Sequence, residues 1–148
     1  MKKKIFLFTL LLLTTFINAQ DSKAQWELVV KDGQDKVYLD TKGISSFASE
    51  DIYVWTMTEH ATPIVIESIE HKIYKTNTYY LFNTRLNKYS ILYIIYYDFS
   101  GNVLASYDYG RNTKVESYQY NYPVFKNSTE EKVLQKCVEI IKKKAENK

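Results

Sequence analysis

Residues 88–109 read KYSILYIIYYDFSGNVLASYDY, and their reading decides the fold. Side chains of a strand alternate between two faces. Here both sets are apolar: Tyr89, Ile91, Tyr93, Ile95 and Tyr97 on one, Leu92, Ile94 and Tyr96 on the other. A strand of that kind needs cover on both faces, so it belongs in the interior of a sheet. The turn that follows is equally legible. Asp98 can accept backbone hydrogen bonds and Gly101 tolerates a positive φ angle, so VLASYDY returns beside KYSILYIIYYD as the next antiparallel strand.

Working outward toward the N-terminus, TYYLFNTRL (78–86) reads as the preceding strand and DIYVWTMTEH (51–60) as another, with Ile52, Val54, Thr56 and Thr58 on one face and Tyr53, Trp55 and Met57 on the other. The segment between them, TPIVIESIEHKIYKTN, carries Pro63, which denies a ladder donor. Its isoleucines suit a short strand or a turn of helix. Earlier still, QWELVVKD and DKVYLDT form a hairpin with a loop of about four residues, and TKGISSFASED is a polar connection. Fourteen tyrosines against four glycines and two prolines fit half-buried pleated surfaces joined by short turns.

Toward the C-terminus the period changes. Val133, Leu134, Cys137, Val138, Ile140 and Ile141 recur at helical spacing, Ser128 and Glu131 have the spacing of a capping box, and Lys142, Lys143 and Lys144 gather at the negative end of the helix dipole. A solvated helix end explains those lysines better than an anion site. Asn127–Thr129 also matches a glycosylation acceptor, but the capping role accounts for it. The fold expected is α+β: a single antiparallel sheet of about six strands in a meander, with one C-terminal amphipathic helix packed on one face. One helix about 10 Å wide blankets only part of such a sheet. The other face is left to tyrosines and Trp55.

The first residues, MKKKIFLFTLLLLTTFINAQ, have a basic start, an apolar run and a small residue at Ala19. This predicts a secretory signal peptide over 1–19 and one domain over 20–148, hence an exported protein, periplasmic, secreted or associated with the cell surface. The run is short for a transmembrane anchor, and no cysteine near the cleavage point offers a lipid anchor. Cleavage removes three of 20 basic residues and none of 17 acidic ones, so the formal charge falls from +3 to zero. Neither nucleic acid nor an anionic membrane is favoured as a partner. The single cysteine, Cys137, has no partner for an intramolecular bridge and reads as a small buried residue of the helix.

The ordered set of Trp26 in WELV, Val37–Ser45 (VYLDTKGIS), the Val54–Trp55 pair, Tyr96–Ser106 (YYDFSGNVLAS) and the tail NYPVFKNSTEEKVLQKCVEIIKK resembles the surface-adhesin protein E family across nearly all of residues 20–148. That resemblance implies an antiparallel sheet crossed by a C-terminal helix, association in pairs through the sheet, and binding of host matrix or plasma proteins. Many relatives bridge the helix cysteine to a second one near Asn83 or Thr84. This chain has none there, so its helix is expected to be held by packing alone.

No catalytic motif emerges. His60 and His71 stand near Glu59, Glu67 and Glu70 without a short ligand repeat, so no metal or cofactor is expected. No GxSxG occurs. Asp98 and Asp108 could meet across the last hairpin, although like charges at a turn are usually solvated. The function expected is a non-enzymatic binding module that recognises a host or bacterial protein, or a second copy of itself, through Tyr53, Trp55, Tyr93 and Tyr97. The alternatives are a periplasmic inhibitor of a wall-degrading enzyme such as lysozyme, for which the SGxxY signature is not met at Ser100 and Gly101, and a small hydrolase or carrier of an apolar ligand. Ordinary core is the competing account of the tyrosines.

Overall fold

A computed structural model describes residues 23–33, 35–47, 50–110 and 119–147; the expected leader, residues 1–19, lies outside them. Among the described residues the chain forms β1 (Trp26–Asp32), β2 (Asp35–Asp40), β3 (Ser45–Phe47), β4 (Asp51–Ile64), β5 (Ile73–Asn83), β6 (Lys88–Tyr97), β7 (Val103–Asp108), β8 (Tyr122–Pro123) and α1 (Thr129–Glu146). The strands make one antiparallel sheet in the order β1-β2-β4-β5-β6-β7, with β3 paired to the start of β4 and β8 to the start of β6. The expected α+β architecture is what the chain adopts. Two short strands are additional: β3, inside the polar connection, and β8, before the helix.

The segment around Pro63 resolves without a helix. The β4–β5 ladder runs to Glu59↔Lys75, breaks, and resumes only at Ile64↔Ile73. Pro63 sits in that break, where no ladder donor is required of it. Residues 65–72 form a loop that tucks Ile69 into the protein, and β5 begins at Ile73, earlier than the expected Thr78.

Opposed residues in neighbouring strands share a face, and the register corrects one expectation in β6. Tyr79 opposes Tyr93, but Tyr80 opposes Ile91, so a bulge inserts one residue into β6. Tyr89 and Ile91 therefore share a face with Phe82 and Tyr80, whereas Tyr93, Ile95 and Tyr97 share the opposite face with Tyr79, Asn77 and Lys75. The five residues that simple alternation puts together are split. At the same point β6 changes its edge neighbour from β7, through Tyr93↔Asp108, to β8, through Tyr89↔Tyr122. Ser90 bridges the change: its hydroxyl donates to the Gln119 carbonyl (2.6 Å) and accepts the Asn121 N–H (3.0 Å).

α1 covers the first of these faces. Its N-cap is Ser128, whose Oγ accepts the Glu131 N–H (3.1 Å), while Glu131 Oε2 accepts the Asn127 N–H (2.6 Å). This satisfies donors the first turn leaves free. Val133, Leu134 and Cys137 then pack with Val30, Val37, Leu39, Ile52, Val54, Phe82 and Val124. Of the strands α1 lies chiefly against β1, where Lys136 Nζ meets Glu27 (2.8 Å), and further along Lys144 Nζ donates to the Thr41 carbonyl (3.0 Å). The helix thus serves the β1 side of the sheet. Toward β7 the same face carries only half-buried Ile94, Tyr96 and Tyr107.

Candidate functional site

The face opposite the helix is built in cross-strand rows. Tyr53 opposes Leu81; Trp55, Tyr79 and Tyr93 form the next row; Met57, Asn77 and Ile95 follow; Glu59, Lys75 and Tyr97 close it. Three of the four residues singled out from sequence meet here. Trp55 stacks on Tyr79 with ring centroids 4.9 Å apart and planes 22° from parallel, Tyr93 approaches Trp55 edge-on at 6.0 Å, and Tyr53 lies 6.2 Å from Tyr79. Tyr97 is displaced two rows. Its ring carries Lys75 Nζ at 4.2 Å, and its hydroxyl accepts a hydrogen bond from Asn77 Nδ2 (3.4 Å). Tyr79 is the member that sequence reasoning missed, because choosing between Tyr79 and Tyr80 requires the cross-strand register.

All of Tyr53, Trp55, Tyr79, Tyr93 and Tyr97 are half-buried. Burial raises the phenol pKa of Tyr53, Tyr79 and Tyr97, helped at Tyr53 by the Asp51 carboxylate and at Tyr79 by Tyr53. These phenols stay neutral donors and acceptors throughout the physiological range. Because Trp55 and Tyr79 turn their π faces toward one another, the patch presents ring edges outward. That geometry suits contact with protein side chains better than stacking of a flat ligand.

One end of this face is closed by the chain itself. Tyr120 Oη donates to Asp51 Oδ1 (2.7 Å), and Asn83 Nδ2 donates to both Asp51 Oδ1 (2.7 Å) and Tyr120 Oη (3.2 Å). Leu81 and Ser90 are buried there, so part of the face is ordinary core. At the other end Lys36 and Lys75 flank Glu59, which accepts a hydrogen bond from Tyr38 Oη (3.0 Å).

The structure brings together one polar group that sequence spacing concealed. His60 Nδ1 lies 3.3 Å from Asp35 Oδ2 and His60 Nε2 lies 2.8 Å from Thr76 Oγ1, while Asp35 Oδ1 accepts the Ala61 N–H (3.0 Å). Carboxylate, imidazole and hydroxyl stand in the order of a nucleophile relay. Acyl transfer also needs free N–H donors beside the hydroxyl. Thr76 sits within an interior strand laddered to Thr58 on one side and Tyr96 on the other, and the three side chains form a clasp joining β2, β4 and β5.

Two other pairings weighed from the sequence, neither of them expected, do not form among the described residues. Asp98 turns into its own loop, accepting from Asn102 N and Nδ2 (both 2.8 Å), whereas Asp108 lies beside Tyr93 and accepts the Gly110 N–H (2.9 Å). The two carboxylates are separated along the hairpin. His71 is exposed in the loop after β4, away from the His60 clasp, and among the described residues no three metal-ligating side chains cluster. Cys137 is fully buried, and burial pushes its thiol up to about 12. No described helix is long and apolar enough to cross a membrane.

Comparison with known proteins returns no matching family model, no matching curated protein and no matching solved structure.

Proposed function

We propose that this chain is an exported, non-enzymatic binding module that engages a second copy of itself, or another protein, through the aromatic face of its sheet. The observation that carries this reading is the half-exposed cluster of Tyr53, Trp55, Tyr79 and Tyr93 on the face that α1 does not cover. Tryptophan and tyrosine are the residues most enriched at binding hot spots. The motifs resembling the surface-adhesin protein E family support the same reading.

Light scattering on residues 20–148, with and without reductant, tests the reading. The expected result is a dimer insensitive to reductant, converted to monomer by Trp55→Ala or Tyr93→Ala with an unchanged circular-dichroism spectrum. If both substitutions leave self-association and capture of protein partners as they were, the aromatic face is core and the reading is abandoned.

A further inference from the structure

Where β6 bulges and its edge neighbour changes from β7 to β8, the sheet edge has a notch. Its floor is Ile91 and Ile94, its walls are Tyr109 and Tyr122, and Asn121 stands at its rim, enclosing a cleft of about 350 Å³. Each wall is braced by another tyrosine: Tyr122 lies 5.4 Å from Tyr89, and Tyr109 stacks at 6.4 Å on Tyr107 with planes 21° apart. The walls are therefore held in place before any ligand arrives, although both rings remain exposed. Among the described residues, neither wall hydroxyl nor the Asn121 amide has a hydrogen-bond partner. The backbone of Asn121, by contrast, is fixed by bonds from its N–H to Ser90 Oγ (3.0 Å) and the Tyr89 carbonyl (3.1 Å).

The geometry points to a binding site for a neutral sugar ring in this notch, separate from the aromatic face. The five described lining side chains are all uncharged, so among them an ionic ligand finds no counter-charge to offset its desolvation. A pyranose matches the lining on three counts. Its apolar C–H face suits tyrosine rings and an isoleucine floor. Its hydroxyls both donate and accept, as do the two phenols and the amide. The cleft is at the small end of ligand pockets, which run to roughly 300–1,000 Å³, and that size favours one or two rings over a long chain. A proline-rich peptide would offer carbonyl acceptors but few donors to answer the unpaired acceptors of the notch.

The test is an NMR titration of the chain carrying ¹³C-labelled tyrosine, using cellobiose, maltose and N,N′-diacetylchitobiose, with glucuronate and a proline-rich decapeptide as controls. The expected result is saturable movement of the Tyr109 and Tyr122 ring signals by at least one neutral disaccharide. Tyr122→Ala and Asn121→Ala should each weaken binding by about tenfold or more, while Trp55→Ala leaves it unchanged. Asn121→Ala keeps the backbone bonds, so its effect separates recognition from folding. The inference is overturned if no neutral disaccharide gives saturable movement, if binding survives both substitutions, or if the peptide or glucuronate binds in preference.

Discussion

Trp55 on β4 and Tyr79 on β5 oppose one another in the ladder and stack with centroids 4.9 Å apart. The pair lies in the middle of the face away from the helix, and it both holds β4 to β5 and forms the centre of the proposed contact surface. These roles separate experimentally. In a double-mutant cycle of Trp55→Ala and Tyr79→Ala, urea unfolding should return a coupling of about 0.5–1.5 kcal/mol, the range for an aromatic pair beyond its buried area. Tyr97→Ala, two rows away, should show no coupling to Trp55. Self-association should be lost in Trp55→Ala or Tyr93→Ala and be little affected by Tyr97→Ala.

Tyr120 predicts an alkaline transition. Its phenol is pushed up to about 12, first by burial and then by the hydrogen bond it donates to Asp51. A folded-state pKa above the unfolded value means that the neutral phenol's contribution is complete below about pH 10 and is lost as pH rises toward 12. Absorbance at alkaline pH should show Tyr120 ionising late, together with Tyr80, whose pKa burial raises further still, and Asp51→Asn, which removes the carboxylate, should bring the Tyr120 step to lower pH. The same step should vanish in Tyr120→Phe.

Much of this architecture was legible from residue pattern because the pattern has a physical cause. The alternation in DIYVWTMTEH placed Val54 and Trp55 on opposite faces, and Val54 is indeed in the helix-covered core while Trp55 is not. The capping box at Ser128 was readable because Ser128 and Glu131 are three residues apart, the reach of one side chain to one backbone N–H. The bulge in β6 was not readable. Nothing local in SILYII marks an inserted residue; the insertion is expressed only opposite Tyr79 and Tyr80. For the same reason simple alternation puts Tyr89 with Tyr93 and does not single out Tyr79. The His60 clasp escaped because its partners stand 25 and 16 residues away and meet only when three strands are in register.

Cys137 should behave as core. With its thiol pushed up to about 12 by burial, almost no thiolate exists at neutral pH to react. Alkylation in native buffer should be slow, and its rate should rise with urea in step with global unfolding. Cys137→Ser puts a hydroxyl among Val54, Phe82 and Val133 and should cost about 1–3 kcal/mol. Rapid labelling of the folded chain would mean that α1 detaches on its own.

The His60 clasp gives the last prediction, in which a structural role and a catalytic one diverge. His60 takes Asp35 from β2 on one nitrogen and Thr76 from β5 on the other, at the point where the β4–β5 ladder is about to break. Its side chain is only 10% exposed, so removing the ring leaves Thr76 Oγ1 without that partner and a gap between strands. His60→Ala should therefore destabilise the fold by about 1–3 kcal/mol, with the greatest loss of amide protection near Lys75–Asn77. Thr76→Val preserves shape and deletes the hydroxyl, leaving Nε2 unpaired, and should cost less than His60→Ala because the Asp35 contact survives. If instead both variants fold with undiminished stability while an ester-cleaving activity of the parent chain disappears, the relay order of the three groups is the one that counts, and the chain is an enzyme.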